Sequence, residues 1–227
     1  MNNQYLTFAL SKGRLAELSM DILEKVGISC VEMKDKDSRK LIYVNEDKGL
    51  KFFLAKAQDV PTYVEYGAAD FGVVGKDILM EEAAKVHEVL DLGFGCCRMC
   101  VCGPETAGEL LKAHEFIRVA TKYPHIAKDY FFNQKHQTVD IIKLGGSVEL
   151  GAMVGLADVI VDVVESGQTL KENGLVVLEE ICPVSARLIV GQVSMQMNST
   201  RIREIIQVLK LETNLKHHPS GGQGPPR

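Results

Sequence analysis

The sequence predicts an α/β protein divided into two lobes. Short apolar or β-branched runs alternate with amphipathic stretches along most of the chain, the pattern of strands joined by crossover helices. The alternation comes in two series, parted near Leu90–Gly95. A length of 227 residues suits one large domain or two small ones. With 46% hydrophobic and 25% charged residues the composition is that of an ordinary globular protein. A chain of this size buries roughly 70–75% of its unfolded surface and needs no disulfide or metal staple.

The first series opens with a strand over Tyr5–Ser11 and a helix over Gly13–Val26, whose Leu15, Leu18, Ile22 and Leu23 share one stripe. Leu41–Val44 and Leu50–Lys56 read as a hairpin turning through Asn45-Glu46-Asp47-Lys48-Gly49. A helix over Gln58–Tyr66 follows, with Asp59 at its cap and Pro61 in its first turn. Strand Phe71–Gly75, helix Asp77–Lys85 and strand Val86–Leu92 close the series.

The second series reads as strand Arg98–Cys102, helix Thr106–Ala113, strand Phe116–Thr121 and helix His125–Gln134. Strand Val139–Leu144, helix Ser147–Leu156, strand Val159–Val164 and helix Thr169–Asn173 continue it. After an extended stretch through Val176, Ile181 and Cys182-Pro183 come strand Arg187–Val193 and helix Thr200–Leu211. Strands alternating with helices imply parallel pairing. The expected division is lobe I over 1–92 plus 181–212, lobe II over 93–180, and a disordered Pro/Gly-rich tail over 213–227. Ligands of open α/β sheets sit beyond the carboxyl ends of strands, so the site is expected there, in a cleft between the lobes.

Net charge and cysteine usage narrow the partners. The formal charge is −4 with no long basic stretch, which argues against nucleic acid as the main partner but leaves room for a small anion. Met1-Asn2-Asn3-Gln4 leads directly into the apolar run Leu6 to Leu10, without the basic segment of a secretory signal. No apolar run approaches the roughly 20 residues that span a bilayer, so no membrane role and a cytoplasmic location are expected. Of the six cysteines, Cys96, Cys97, Cys100 and Cys102 cluster, and Cys97-Arg98-Met99-Cys100 has the spacing of a metal knuckle or redox pair. A structural zinc site needs a second ligand pair at recognisable spacing, so the favoured reading is a strand in which cysteine acts as a small buried hydrophobe.

The strongest chemical signal runs from Val159 to Leu170. An apolar strand ends at Asp162, continues through Val163 and Val164 to Glu165, and turns through Ser166-Gly167-Gln168-Thr169 into a helix. Gly167 permits close backbone approach, and the first N–H groups of the helix carry partial positive charge. With the Ser166 and Thr169 hydroxyls they make a cradle suited to a phosphate, beside which Asp162 and Glu165 can accept ribose hydroxyls. The plainer alternative is an N-capped helix after a buried strand, with Ser166 as the cap. Lys12 and Arg14 close the first strand and Arg39 lies in a polar loop. They suit a phosphate-rich leaving group, or are solvated surface charges. Lys122 and Tyr123 end another strand, and Ser147 and Glu149 open a helix, both places where a nucleotide can be held. His87, His114, His125 and His136 have no partner nearby in sequence.

The acid–x–x–acid–small-loop pattern resembles the 5-phosphoribosyl diphosphate signature of phosphoribosyltransferases, though the usual version has two adjacent acids. Further blocks are Ala9-Leu10-Ser11-Lys12-Gly13-Arg14, Asp37-Ser38-Arg39-Lys40-Leu41, Asp59-Val60-Pro61-Thr62-Tyr63-Val64, the stretch from Gly67 through Asp70 to Asp77, and Arg118-Val119-Ala120-Thr121-Lys122-Tyr123. With residues 162–174 they resemble the catalytic subunit of the ATP phosphoribosyltransferase family, over about Tyr5 to Leu211.

That resemblance implies two lobes similar to a type II periplasmic-binding-protein fold and transfer of 5-phosphoribosyl from its diphosphate to N1 of ATP, the first step of histidine biosynthesis. It implies that Arg14 and Arg39, with Lys12, serve the departing pyrophosphate, that residues 162 and 165–169 hold the phosphoribosyl group, and that Asp70, Lys122, Tyr123, Ser147 and Glu149 face ATP. Mg²⁺ is expected to arrive on the diphosphate, with no protein side chain assigned to it. The chain resembles the short form of the family, which works with a regulatory subunit similar to histidyl-tRNA synthetase, and a homodimer is the expected building block. A two-lobed anion sensor, or a transferase acting on a free nucleobase, would use the same lobes. The pairing of Ser11-Lys12-Gly13-Arg14 with Glu165–Thr169 favours an enzyme over a sensor, because a sensor needs no separate place for a leaving group.

Overall fold

The computed structural model describes residues 5–28, 30–34 and 39–217. They fall into two compact units. The first comprises the described residues of Met1–Gly75, Ala84–Gly95 and Ala186–Arg227, and the second Lys76–Ala83 and Cys96–Ser185. The sequence-based lobes differ from these in one respect beyond their borders: residues 76–83, expected in the first lobe, belong to the second unit. Asp37 and Ser38 of the quoted loop, and the tail beyond His217, lie outside the described residues.

The first unit is built on a six-stranded sheet in the order β2-β3-β1-β4-β11-β5. Its members are β1 (Leu6–Ser11), β2 (Ile42–Asn45), β3 (Leu50–Ala55), β4 (Phe71–Gly75), β5 (Val86–Asp91) and β11 (Ala186–Gly191). β1 is parallel to β3 and β4, and its Phe8 stacks between Phe52 and Phe71 at centroid distances of 5.2 and 4.6 Å. These rings centre a core closed by α1 (Arg14–Lys25) through Ile22 and Leu23 and by α9 (Ser199–His217) through Ile202 and Leu209. α2 (Val60–Glu65) packs on β4, where Gly72 makes room: a Cβ there would lie 2.9 Å from Val60, Val64 and Ile189.

The second unit carries a five-stranded sheet in the order β10-β6-β9-β7-β8. These are β6 (Cys97–Gly103), β7 (Ile117–Thr121), β8 (Val139–Lys143), β9 (Val159–Val164) and β10 (Val176–Val184), with helices α3 (Lys76–Glu82), α4 (Ala107–Lys112), α5 (Pro124–Lys128), α6 (Glu149–Met153) and α7 (Gln168–Glu172). β7 runs parallel to β8 and β9, as alternation predicts. β2 and β3 form the expected antiparallel hairpin, but elsewhere the expectation of parallel pairing fails. β6 is antiparallel to β9 and β10, and β11 to β4 and β5. Both β6 and β11 begin a segment arriving from the other unit with no strand–helix crossover before them, so no crossover imposes a parallel direction on them.

Three local readings also shift. The helix expected over His125–Gln134 is α-helical only to Lys128 and π-helical from Asp129 to Gln134. The Asp129 carboxylate accepts from the side-chain amides of Asn133 and Gln134, both at 2.8 Å, a spacing that matches the widened turn. The strand expected to end at Val193 stops at Gly191, and Gln192–Met197 forms α8 instead. A Cβ on Gly191 would lie 2.9 Å from the Val64 carbonyl oxygen, so the chain turns at a close backbone approach that its apolar alternation hides. The last helix runs to His217 rather than Leu211, so residues 213–217 are helical. Among the described residues no helix is long and apolar enough to cross a membrane.

The cysteine strand is β6. Cys100 and Cys102 are wholly buried, and no described cysteine is in a disulfide. Burial pushes the Cys102 thiol up to about 12, which makes it an inert apolar filler. Cys96, by contrast, is exposed and Cys97 half-buried.

Candidate active site

β9 brings Asp162 to its carboxyl end, and the following loop bends into α7 at Gly167, whose φ of +75° is the left-handed region glycine favours. Nothing crowds this position: a Cβ would find Val164 Cγ1 at 3.9 Å, so backbone conformation alone selects glycine. Ser166 Oγ accepts the Gln168 N–H at 3.3 Å, while the Gln168 side chain donates to Glu172 at 2.7 Å. The N-cap of α7 is Gly167 and no side chain caps the helix, so Ser166 closes a local turn rather than acting as the expected cap.

A pocket of about 220 Å³ opens here, lined by Glu149 and by every residue from Asp162 to Leu170. The sequence-read loop Glu165, Ser166, Gly167, Gln168 and Thr169 thus forms one wall, with Glu149 added from α6. Gly151 explains how α6 comes so close: its Cβ would stand 2.8 Å from the Cβ of Ala120 on β7. Ser147, just before α6, is exposed and has a φ of +48°, a strained conformation outside glycine that re-aims the chain into the helix.

Asp162 is the electrostatic centre of the pocket. Burial raises its carboxyl to about 6; the Val163 N–H, donating at 2.8 Å, and the Lys122 charge oppose the rise, while Glu149 and Asp77 add to it. Lys122 is half-buried after β7. Tyr123 is only 6% exposed and donates its hydroxyl to Asp77 on α3 at 2.9 Å, and burial pushes its hydroxyl pKa well above the usual tyrosine range. Tyr123 is therefore an interior group here rather than an open face for a base, which corrects the sequence-based expectation.

Asp70 is also displaced from the expected role. Its carboxylate accepts the Thr7 N–H at 2.8 Å and its own N–H donates to the Thr7 carbonyl at 2.9 Å. That joins the amino-terminal edges of parallel strands β1 and β4, the opposite edge from the one where such sheets bind ligands. Lys12, Arg14 and Arg39 lie in the first unit and are all exposed. Lys12 follows the carboxyl end of β1, its N–H bonded to the Ala55 carbonyl at 2.8 Å, and Arg14 is the first residue of α1.

Sequence reasoning missed the Asp77–Tyr123 and Glu81–His125 links, whose partners stand 46 and 44 residues apart. His125, given no role from sequence, places Nδ1 2.6 Å from the Glu81 carbonyl oxygen.

The model of the family described as "HisG: ATP phosphoribosyltransferase" matches residues 56–211, which include the whole pocket. The chain is 66% identical over 207 residues to an ATP phosphoribosyltransferase of Lachnoclostridium phytofermentans, covering 91% of this chain and 96% of that one. A counterpart from Lachnospira eligens is 64% identical with the same coverage. Among solved structures, the ATP phosphoribosyl transferase (HisG:HisZ) complex from Thermotoga maritima superposes with a TM-score of 0.78 at 33% identity, over 92% of this chain and 98% of that chain. The two α/β units are those of the expected periplasmic-binding-protein-like class. Loop, pocket and sequence agree, and the chain belongs to the ATP phosphoribosyltransferase family.

Proposed function

We propose that this chain transfers the 5-phosphoribosyl group from its diphosphate to N1 of ATP and releases pyrophosphate, the first step of histidine biosynthesis. The N1 lone pair forms the new bond to the anomeric carbon as that carbon's bond to the diphosphate oxygen breaks, and pyrophosphate leaves with the electron pair. The carbon passes through a state of oxocarbenium character, so the residues' task is to hold the sugar and neutralise the leaving group. The loop Glu165–Thr169 receives the 5-phosphate, and Asp162 with Glu165 accepts the ribose hydroxyls. Lys12, Arg14 and Arg39 serve the pyrophosphate, guanidinium forks suiting its oxygens. Lys122, Ser147 and Glu149 are assigned to ATP, with Lys122 and Glu149 acting also on Asp162, so that these two serve both substrates. Mg²⁺ belongs to the diphosphate and is held by its oxygens and by water.

One observation carries the reading: the pocket-forming loop lies inside the segment that matches the family. The test is pyrophosphate release in the presence of 5-phosphoribosyl diphosphate with ATP, adenine or uracil as acceptor. Turnover with ATP alone supports the reading, and turnover with a free base replaces it. The same reading extends to a regulatory subunit similar to histidyl-tRNA synthetase, since the Thermotoga maritima relative is a two-component complex. Mixing the two purified subunits should give a larger particle, higher activity and inhibition by histidine. Tight histidine binding to this chain alone, noncompetitive with ATP, would overturn that assignment.

A further inference from the structure

α3 belongs to the second unit although β4 and β5, its neighbours in sequence, belong to the first. Two side chains anchor it. Glu81, only 8% exposed, accepts the N–H groups of His125 and Ile126 at 3.0 and 3.2 Å and so caps α5. Asp77 accepts the Tyr123 hydroxyl at 2.9 Å.

The second anchor leads into the pocket. The Tyr123 N–H donates to Thr121 Oγ1 at 2.8 Å, and that hydroxyl, wholly buried, donates to the Val161 carbonyl at 2.7 Å. Val161 precedes Asp162. Two hydrogen-bonded links, one at the Tyr123 hydroxyl and one at its backbone N–H, therefore join Asp77 through the body of Tyr123 to the strand that presents the pocket's central carboxylate, with Lys122 held between Thr121 and Tyr123. Lys122 Nζ stands 5.7 Å from the centre of the Tyr123 ring.

We propose that Asp77 is a positioning residue for phosphoribosyl binding: through Tyr123 and Thr121 it fixes the turn after β7 and so places Lys122 beside Asp162. The inference rests on the reading that this pocket takes 5-phosphoribosyl diphosphate. The titratable groups around Asp162 are Cys100, opposite it on β6, and Cys102 from the same strand, Lys122 and Tyr123 after β7, Glu149 from α6 and Asp77 from α3. Asp77 and Glu149 disfavour its charged form and Lys122 favours it. Moving this turn alters that balance as well as the geometry. Because Glu81 holds α3 independently, loss of Asp77 leaves the helix in place.

The experiment is calorimetric titration of the full chain with Mg²⁺-loaded 5-phosphoribosyl diphosphate from about pH 5 to about pH 8, spanning the Asp162 transition. Asp77→Ala and Tyr123→Phe should each weaken binding about three- to tenfold near neutral pH, and the double variant should be no weaker than the worse single one. Asp77→Asn, which keeps an acceptor but loses the charge, should move the acid-side midpoint to lower pH, whereas Glu81→Gln should not. Additive losses, or an unmoved midpoint in Asp77→Asn, overturn the inference. Thr169→Ala separates the two claims. If it binds normally, the pocket reading and the inference both fall; if it binds weakly while the Asp77 series behaves as wild type, the inference alone falls.

Discussion

Asp162 stands directly opposite Cys100 in the antiparallel register of β9 and β6, and Cys100 is wholly buried. Residues paired in this way project to the same face. Ile160 and Val164, two residues to either side, belong with Cys100 and Cys102 to the apolar cluster beneath the pocket. The carboxylate is thus mounted at the rim of a dry surface, which is why burial dominates its titration.

A pH dependence follows. Ribose hydroxyls bond best to the ionised carboxylate, and burial raises Asp162 from 3.8 to about 6 in the empty pocket. Affinity for 5-phosphoribosyl diphosphate, followed by titration calorimetry, should fall as pH drops through about 6. The stability effect has the opposite sense. An acid raised on folding binds more protons folded than unfolded, so its contribution is present at low pH and lost as pH rises through the folded value. Asp162→Asn should therefore have a higher Tm than wild type above neutrality, a difference that vanishes near pH 3.8, while binding the sugar phosphate poorly.

The loop should discriminate between the two substrates. Thr169→Ala should raise the KM for 5-phosphoribosyl diphosphate about ten- to hundredfold with little change for ATP, the worth of one hydrogen bond to a charged group. Gly167→Val should do the same for a different reason, since φ at +75° opposes a β-branched residue although the surrounding space is open. Equal changes for both substrates would remove the loop from the phosphoribosyl site.

Arginine removal tests the leaving-group assignment. Arg14→Ala and Arg39→Ala should each lower the single-turnover rate with the fold intact by circular dichroism, because charge on pyrophosphate grows towards the transition state. Both residues are exposed, so a stability loss is not expected to obscure the result. Unchanged single-turnover rates would return them to the solvated surface.

Packing at α6 offers a structural check. Gly151→Ala puts a methyl 2.8 Å from Ala120 Cβ, which has no flexible end that could swing aside. The helix must shift away from β7, at a cost of roughly 1–3 kcal/mol in urea unfolding. Glu149 moves with it, so the variant should also lose affinity for substrate.

The site was more legible in sequence than its supports. Strands Phe71–Gly75 and Val159–Val164 were readable to the residue because each is a short apolar run ended by a glycine or an acid. The loop Glu165–Thr169 was readable because its chemistry is local, a few residues turning one strand into one helix. Asp77, Glu81 and Gly151 were not, since each acts on a partner tens of residues away and carries no periodic signal. Asp70 misled for the converse reason: an acid before a strand looks the same in sequence whether its carboxylate meets a ligand or, as here, the Thr7 N–H. Antiparallel β6 and β11 escaped because strand direction depends on how a segment enters its sheet, which alternation does not encode.

The position of β11 between β4 and β5 has a consequence for biogenesis. Among the described residues β5 pairs in its sheet with β11 alone, and β11 is translated only after every described strand of the second unit. α9 comes later still, and its Arg201 reaches back to the carbonyl oxygens of Lys48 and Gly49. On a translating ribosome the second unit has all its strands while the first still lacks one from the middle of its sheet. Until β11 emerges the nascent chain leaves the facing edges of β4 and β5 unpaired, each open to a wrong partner.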